Sequence, residues 1–343
     1  MNPDDRFFRY VRSFLLIYLP KNRCCSQNTV KSYRETIHLL RTFFKQEKGL
    51  AFNKITFDHF NHVAIGEFLD WLENERGNST ATRNQRLAAL KSFCKYAAQE
   101  DASLMLAYLE LGKVPLKRAN KPAISYLSEA ALSVLLQQPD RANKRGIRDQ
   151  FMMVFLYDTG ARIQEVLDLR IADLHLGERI PFVHLTGKGQ KTRAVPLMDR
   201  TIEHLKAYME YYHRSIPPDR DDLLFYTIIK NNVGKMSPDT VASFLNRYGV
   251  SARPTCAEVP IRVHAHLFRH TRAMHLYQAG IPLSYIKDFL GHASVNTTDI
   301  YAAADVTMLR EALERTYTSD RATLEAPRWK DDEELLIHLC GLK

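Results

Sequence analysis

Two short motifs in the last third of the chain have the residue types and spacing to work on a phosphate. In His266-Leu-Phe-Arg269-His270, a step of three places an imidazole and a guanidinium on one helical face, about a turn apart. Leu290-Gly291-His292 follows, with His292 23 residues after Arg269, and Tyr301 stands nine positions further on. Upstream, Thr159-Gly-Ala-Arg162-Ile-Gln-Glu165 adds a second arginine with a carboxylate three residues later, and Gly187-Lys-Gly-Gln190 puts Lys188 in a glycine-rich turn. A phosphodiester gains negative charge in its pentacovalent transition state. Guanidinium groups fork onto two oxygens at once and keep their protons, so a pair of them can replace a divalent ion. A tyrosine nucleophile would keep the phosphodiester energy in a covalent bond, so rejoining needs no ATP. A lysine at a hairpin tip can reach a leaving oxygen, where proton donation is worth roughly 10²–10⁴-fold. No G-x-x-x-x-G-K-[ST] loop is present, which agrees with ATP-free chemistry.

Each residue also has an ordinary reading. Tyr301 alone would be a packing residue, Arg162 and Glu165 an i,i+3 surface pair, and Lys188 one more turn lysine beside Lys191 and Arg193. His264, His266, His270 and His275 with Cys256 raise zinc as a rival. Their spacing does not fit His-Glu-x-x-His and no cysteine pair accompanies them, so no metal or other cofactor is expected, and His264, His270 and His275 read as structural or DNA-proximal.

The elements that would position these groups are mainly helical. Val30, Tyr33, Ile37, Leu40 and Phe44 form one apolar stripe on a helix that Ser26 or Asn28 could cap. A second helix is expected over Asp58 to Glu75, with Phe60, Phe68, Trp71 and Leu72 inward. A third starts near Ser79 with Leu87, Leu90, Cys94 and Ala97 inward. Its other positions include Arg83, Arg86, Lys91 and Lys95, which either track phosphates or form a solvated face. Residues 113–122 are basic and carry two prolines, and so read as an extended linker with few contacts of its own, in which Lys117 and Arg118 are further candidates for DNA contact. Leu127-Ser128-Glu129 starts a helix, and Ile180–Leu185 with Thr192–Leu197 read as a hairpin whose turn carries Lys188, with Lys191 and Arg193 as basic neighbours. The chain then returns to helices, one over Pro238–Tyr248, one closing at Gly280 and one starting at Pro282. An isolated amphipathic helix over Asp331–Leu342 ends the pattern, suited to docking on a neighbouring protomer or on its own domain. The expected division is 1–112, a linker over 113–122, a domain over 123–318 and a tail over 319–343.

The bulk numbers fit this pattern. The length of 343 residues suits two domains, and a net charge of +9 favours an anionic partner such as nucleic acid. Five cysteines, Cys24, Cys25, Cys94, Cys256 and Cys340, form no C-x-x-C pair and are odd in number, which argues for a reducing compartment. Phe7–Leu19 is interrupted by Arg9 and Arg12 and reads as an amphipathic helix rather than a signal peptide, so a cytoplasmic location is expected.

The order arginine, hairpin lysine, H-x-x-R, L-G-H, tyrosine resembles the signature of the tyrosine recombinases, or phage integrase family. The likeness covers about Asn28 to Tyr317 and is strongest from Tyr157 to Tyr301. Each motif alone is weak, but jointly and in this order they are specific. The resemblance implies that Tyr301 attacks a scissile phosphodiester, leaving a 3′-phosphotyrosyl bond and a free 5′-hydroxyl. It makes Arg162 and Arg269 the grip on the non-bridging oxygens and Lys188 the general acid. It gives His266 and His292 the phosphate or the tyrosine proton, and Glu165 the ordering of the site. Phe268 departs from the leucine many members carry and bears on packing only. The implied fold is mainly α with a small β-sheet, a helical-bundle core-binding domain and a catalytic domain forming a C-shaped clamp. The implied partners are double-stranded DNA with inverted half-sites, a dimer per site and a homo-tetramer on two sites, with possible accessory recombination proteins. The expected role is integrase or transposase of a mobile element. The alternatives are a dimer resolvase of the Xer type, a type IB topoisomerase, a catalytically dead DNA-binding regulator or a metal-dependent nuclease.

Overall fold

Serine caps set the frame of the first unit. In the computed structural model, which describes residues 6–118, 125–187, 189–214, 219–229 and 232–291, Ser26 and Ser79 each accept a hydrogen bond from the backbone N–H three residues on. They start α2 (Gln27–Glu47) and α4 (Thr80–Glu100) where the apolar periodicity places them. Ahead of them, α1 (Arg6–Ser13) continues as a π-helical stretch over Phe14–Asn22. The helix expected over Asp58–Glu75 starts later. Phe57–His59 is a 3₁₀ turn, and Asn61 caps α3 (His62–Asn74) by accepting from the Ala64 N–H at 2.9 Å. An asparagine that can satisfy an orphan donor outcompetes continuation through Phe60. The core is aromatic: the Phe7 ring meets those of Phe57, Phe60 and Phe93 with centroids 5.3–5.8 Å apart, and each such burial contributes about 1.5–3 kcal/mol.

After α5 (Met105–Gly112) the chain does not leave the domain at once. Val114 is buried, Arg83 donates to the Pro115 carbonyl at 2.8 Å, Lys91 to the Val114 carbonyl at 2.8 Å, and Asn84 exchanges two hydrogen bonds with the Lys117 backbone. Residues 113–117 are therefore part of the first unit rather than a linker with few contacts. The chain divides into two units at Pro122–Ala123.

In the second unit Ser128 caps α6 (Glu129–Leu136) and Asn143 caps α7 (Lys144–Thr159), which is buried over most of its length and ends at Gly160 in the left-handed region, φ 56°. After α8 (Ile163–Asp168), strands β1 (Leu174–His175), β2 (Phe182–Thr186) and β3 (Thr192–Pro196) form an antiparallel sheet, the expected hairpin with one added strand. Val183 faces Val195 and Leu185 faces Arg193 across the β2–β3 ladder. After α9 (Asp199–Tyr212) comes a second hairpin, β4 (Tyr226–Ile229) with β5 (Asn232–Lys235), where an unbroken return to helices was expected. Its first strand grows from Leu224, whose N–H donates to the Leu169 carbonyl at 2.8 Å. The chain continues through α10 (Pro238–Ala252), α11 (Ala265–Gln278) and α12 (Leu283–Leu290). α7 packs against α9 and α11, with Phe151 stacked on Phe225 and tilted on Tyr208. Phe268 is buried in this core, as a packing role requires. No helix among the described residues is long and apolar enough to cross a membrane. Lys188, His292, Tyr301 and the tail helix over Asp331–Leu342 lie outside the described residues.

Candidate active site

Three helix ends meet where the sequence motifs converge. Gly160 closes α7, and a Cβ built there would sit 2.8 Å from Leu290 Cδ2, so only glycine allows the end of α12 to pack on this turn. Two residues later Arg162 opens α8. Glu165, at the third helical position, accepts the Arg162 backbone N–H at 2.9 Å and the Arg162 Nη1 at 2.8 Å. The i,i+3 pair is thus half of a capping box as well as an ion pair.

Arg269 projects from α11 and is buried. Its Nη1 donates to the Gly160 carbonyl at 2.6 Å and its Nη2 to the Leu290 carbonyl at 2.7 Å. Arg162 Nη2 reaches the next carbonyl, that of Gly291, at 3.4 Å. The two arginines, 107 residues apart in sequence, thus hold consecutive carbonyls at the end of α12, next to His292. About a third of the Arg162 side chain is exposed, at 34%, so its guanidinium remains accessible to a ligand.

The hairpin closes on the same pair. Gly187 N–H donates to the Lys191 carbonyl at 2.9 Å, and Gly189 and Gln190 take left-handed conformations in the turn that carries Lys188. A Cβ at Gly187 would lie 2.9 Å from Glu165 Oε1 and 3.6 Å from Arg162 Nη1, so the turn backbone lies directly against the ion pair.

Glu165 is the electrostatic centre. Burial pushes its carboxyl up, but hydrogen bonds and charge from Arg193, then Arg162, outweigh this and hold it at about 2. Two guanidiniums (Arg162, Arg193) on one carboxylate leave one positive charge, and Arg269 at the neighbouring helix ends adds another, an arrangement suited to a phosphodiester. Burial pushes the His266 imidazole down, reinforced by Arg269, His264 and Arg162, so it is neutral at physiological pH. His270 is driven to about 4 by burial, with His266 and Arg269 adding to it. A neutral His266 can accept or relay a proton.

The other histidines have structural work. His264 caps α11, its Nδ1 accepting the Leu267 N–H at 3.1 Å, and burial lowers its pKa. His275 Nε2 donates to the Leu127 carbonyl at 3.0 Å, so its Nδ1 accepts from the Tyr157 hydroxyl at 2.9 Å. His264 and His275 thus act within the fold.

The candidates for DNA contact need correction. Arg83 and Arg86 are buried: Arg83 holds the Pro115 carbonyl, while Arg86 donates to the Ser32 carbonyl at 3.0 Å and to Glu35 at 2.8 Å. Lys91 holds the Val114 carbonyl, and Lys117 pairs with Asp70 and Glu73. Arg83, Arg86 and Lys91 thus tie α4 into the first unit, while Lys117 stays exposed. Lys95, Arg118 and Lys191 are exposed. Arg193 is bound to Glu165, with its Nη1 3.1 Å from Oε1 and its Nη2 2.8 Å from Oε2, a role that its neighbourhood of basic turn residues concealed. The signal was the strand alternation: Arg193 shares a β3 face with Val195, which is buried.

Comparison with known proteins settles the class. The sequence profile of the Phage integrase family matches residues 125–308, and that of the "Phage integrase, N-terminal SAM-like domain" matches residues 13–101. The chain belongs to the phage integrase family. It is a tyrosine-type site-specific recombinase, an enzyme that cleaves and rejoins DNA. The chain is 31% identical over 333 residues to the "Putative integrase/recombinase y4rC" of Sinorhizobium fredii, covering 97% of each chain. It is 27% identical to the tyrosine recombinase XerD of Staphylococcus saprophyticus, covering 86% of this chain and 94% of that one. Among solved structures, the Tn1549 transposon integrase in complex with transposon right end DNA superimposes with a TM-score of 0.66 at 18% identity, covering 92% and 99% of the two chains. That likeness fixes the two-domain recombinase fold, mainly helical with small sheets.

Proposed function

We propose that this recombinase cuts double-stranded DNA by attack of the Tyr301 phenolic oxygen on the scissile phosphorus. The phosphorus–oxygen bond to the 5′-oxygen breaks, a 3′-phosphotyrosyl bond forms, and Lys188 gives its proton to the leaving oxygen. The tyrosine proton passes to His266 or His292. Arg162 and Arg269 take the charge that builds on the non-bridging oxygens, and Glu165 holds Arg162 in place. Attack by a 5′-hydroxyl of the partner strand then reverses the step, so no net oxidation and no nucleotide is needed. The single observation that carries this reading is the meeting of Arg162, Arg269 and neutral His266 at the ends of α7, α11 and α12, with net positive charge around one buried carboxylate.

DNA with paired inverted half-sites, a dimer on each and a tetramer across two sites complete the proposal. The role we assign is integrase or transposase of a mobile element, supported by the full-length similarity to the Sinorhizobium fredii integrase/recombinase. The Xer-type relative supports dimer resolution as the second reading. The test is a trap: nicked suicide duplexes tiled across the native genomic flanks, incubated with the full chain in EDTA. A covalent complex that Tyr301→Phe abolishes is expected, and its position gives the site. Trapping that survives Tyr301→Phe, or that needs Mg²⁺, overturns the assignment. A site at the ends of a mobile element supports the first role, and one in a chromosome terminus the second.

A further inference from the structure

Arg193 makes three hydrogen bonds beside the site, and no part of the reaction above uses it. It leaves β3 on the inward face, opposite Leu185, with only 11% of its side chain exposed. Its two Nη groups fork onto the two oxygens of Glu165, and its Nε donates to the Phe289 carbonyl at 3.0 Å. A Cβ at Gly291 would meet Arg193 Cδ and Nη1 at 3.2 Å, so the turn leading into His292 lies on its guanidinium. One planar group therefore touches three carriers of chemistry. These are the carboxylate that orients Arg162, the strand that follows the Lys188 turn, and the end of α12.

Resting on the reading of Arg162, Lys188 and His292 as the phosphate machinery, we propose that Arg193 is a positioning residue that registers the β2–β3 hairpin and the end of α12 against the Arg162–Glu165 pair. It acts through those residues and does not touch DNA. The geometry demands an arginine. A lysine offers a point charge that can neutralise Glu165, but it cannot span both carboxylate oxygens and the Phe289 carbonyl at once. Without the fork, Glu165 loses its largest opposing influence while remaining buried, and its carboxyl becomes able to take up a proton.

The experiment uses the full chain on the nicked duplex that traps wild-type protein, read as the single-turnover rate of covalent-complex formation at saturating DNA. A rate constant is independent of the active fraction, so a partly unfolded preparation does not mimic the effect. Arg193→Lys should slow cleavage about 10- to 100-fold, as loss of a group supporting the reacting ones does elsewhere, while DNA affinity changes less than about threefold. Glu165→Gln should give a similar loss, and the double variant should lose no more than the worse single, because both act through one contact. Arg193→Met should also acquire an acid limb in its pH–rate profile, rising towards neutral pH, which Glu165→Gln removes. A wild-type rate in Arg193→Lys overturns the proposal. So do losses that multiply in the double variant, or a fall in DNA affinity that accounts for the whole effect. If wild-type protein forms no covalent complex on any duplex, it is the underlying reading of the site that falls.

Discussion

Both units of this chain bury arginines, and the two sets behave differently. In the first, Arg83 and Arg86 lie on the first two turns of α4 and donate to carbonyls of the same unit, and Arg86 pairs with Glu35, which is itself 58% exposed. In the second, Arg162 at the start of α8 and Arg193 on β3 meet on Glu165, whose side chain is 3% exposed, while Arg269 on α11 holds helix-end carbonyls nearby. The first set ties α4 to α2 and to residues 114–117. The second leaves surplus positive charge beside the ends of α7 and α12. Burial of a guanidinium is thus no mark of function. What sets the second unit apart is the convergence of Arg162 and Arg193 on one buried carboxylate.

The sharpest way to break this contrast is to exchange outcomes between the sets. Arg162→Ala should lower the cleavage rate on the order of 10²–10³-fold, the usual loss for one preorganised donor, with the melting temperature little changed; a rate within tenfold of wild type would put Arg162 with the structural arginines. Arg86→Met should do the reverse. It strands the Ser32 carbonyl and Thr36 hydroxyl contacts and costs about 1–3 kcal/mol of stability, with cleavage at saturating DNA within about twofold. Denaturant titration reads the first effect, and a large rate loss in a folded Arg86→Met protein would assign α4 to the reaction after all.

The smallest expected effect is one of pH and concerns the second unit. His264, His266, His270 and His275 all have pKa values lowered from 6.5 by burial. A base whose folded pKa is depressed is protonated first in the unfolded chain, so its contribution is full above the unfolded value and is lost as pH falls below it. The window runs from about 6.5 down to about 4, where folded His270 titrates. The groups are partly exposed, so a loss of about 1 kcal/mol at about pH 5 is expected after discounting for solvent. Hydrogen exchange of α7 and α11 amides measures it, and unchanged protection at about pH 5 would show that these imidazoles do not resist protonation.

Much of this molecule is written plainly in its sequence. The serine caps, the glycine that closes α11 and the hairpin with a glycine turn follow from residue type alone, because each is a local requirement of the backbone. What was misread depends on which way a side chain turns. Arg83 and Arg86 stand at helical spacing from Leu87, Leu90 and Phe93, so they extend the apolar stripe inward, yet their charge drew them to the solvated face. Arg193 shares its strand face with Val195. Residues 224–228 carry a β-prone run, Leu-Phe-Tyr-Thr-Ile, that a helical expectation passed over. Lys117 looked free because its partners, Asp70 and Glu73, are over forty residues away.

The carbonyls that Arg269 holds belong to Gly160 and Leu290, at the C-terminal ends of α7 and α12, where peptide dipoles gather partial negative charge and acceptors go unmet. The same guanidinium therefore serves as the mortar between two helices before any DNA arrives. A descendant that gave up strand exchange and kept only the shape would have reason to retain this arginine. Its presence in a relative therefore testifies to architecture, and activity there must be judged from other positions.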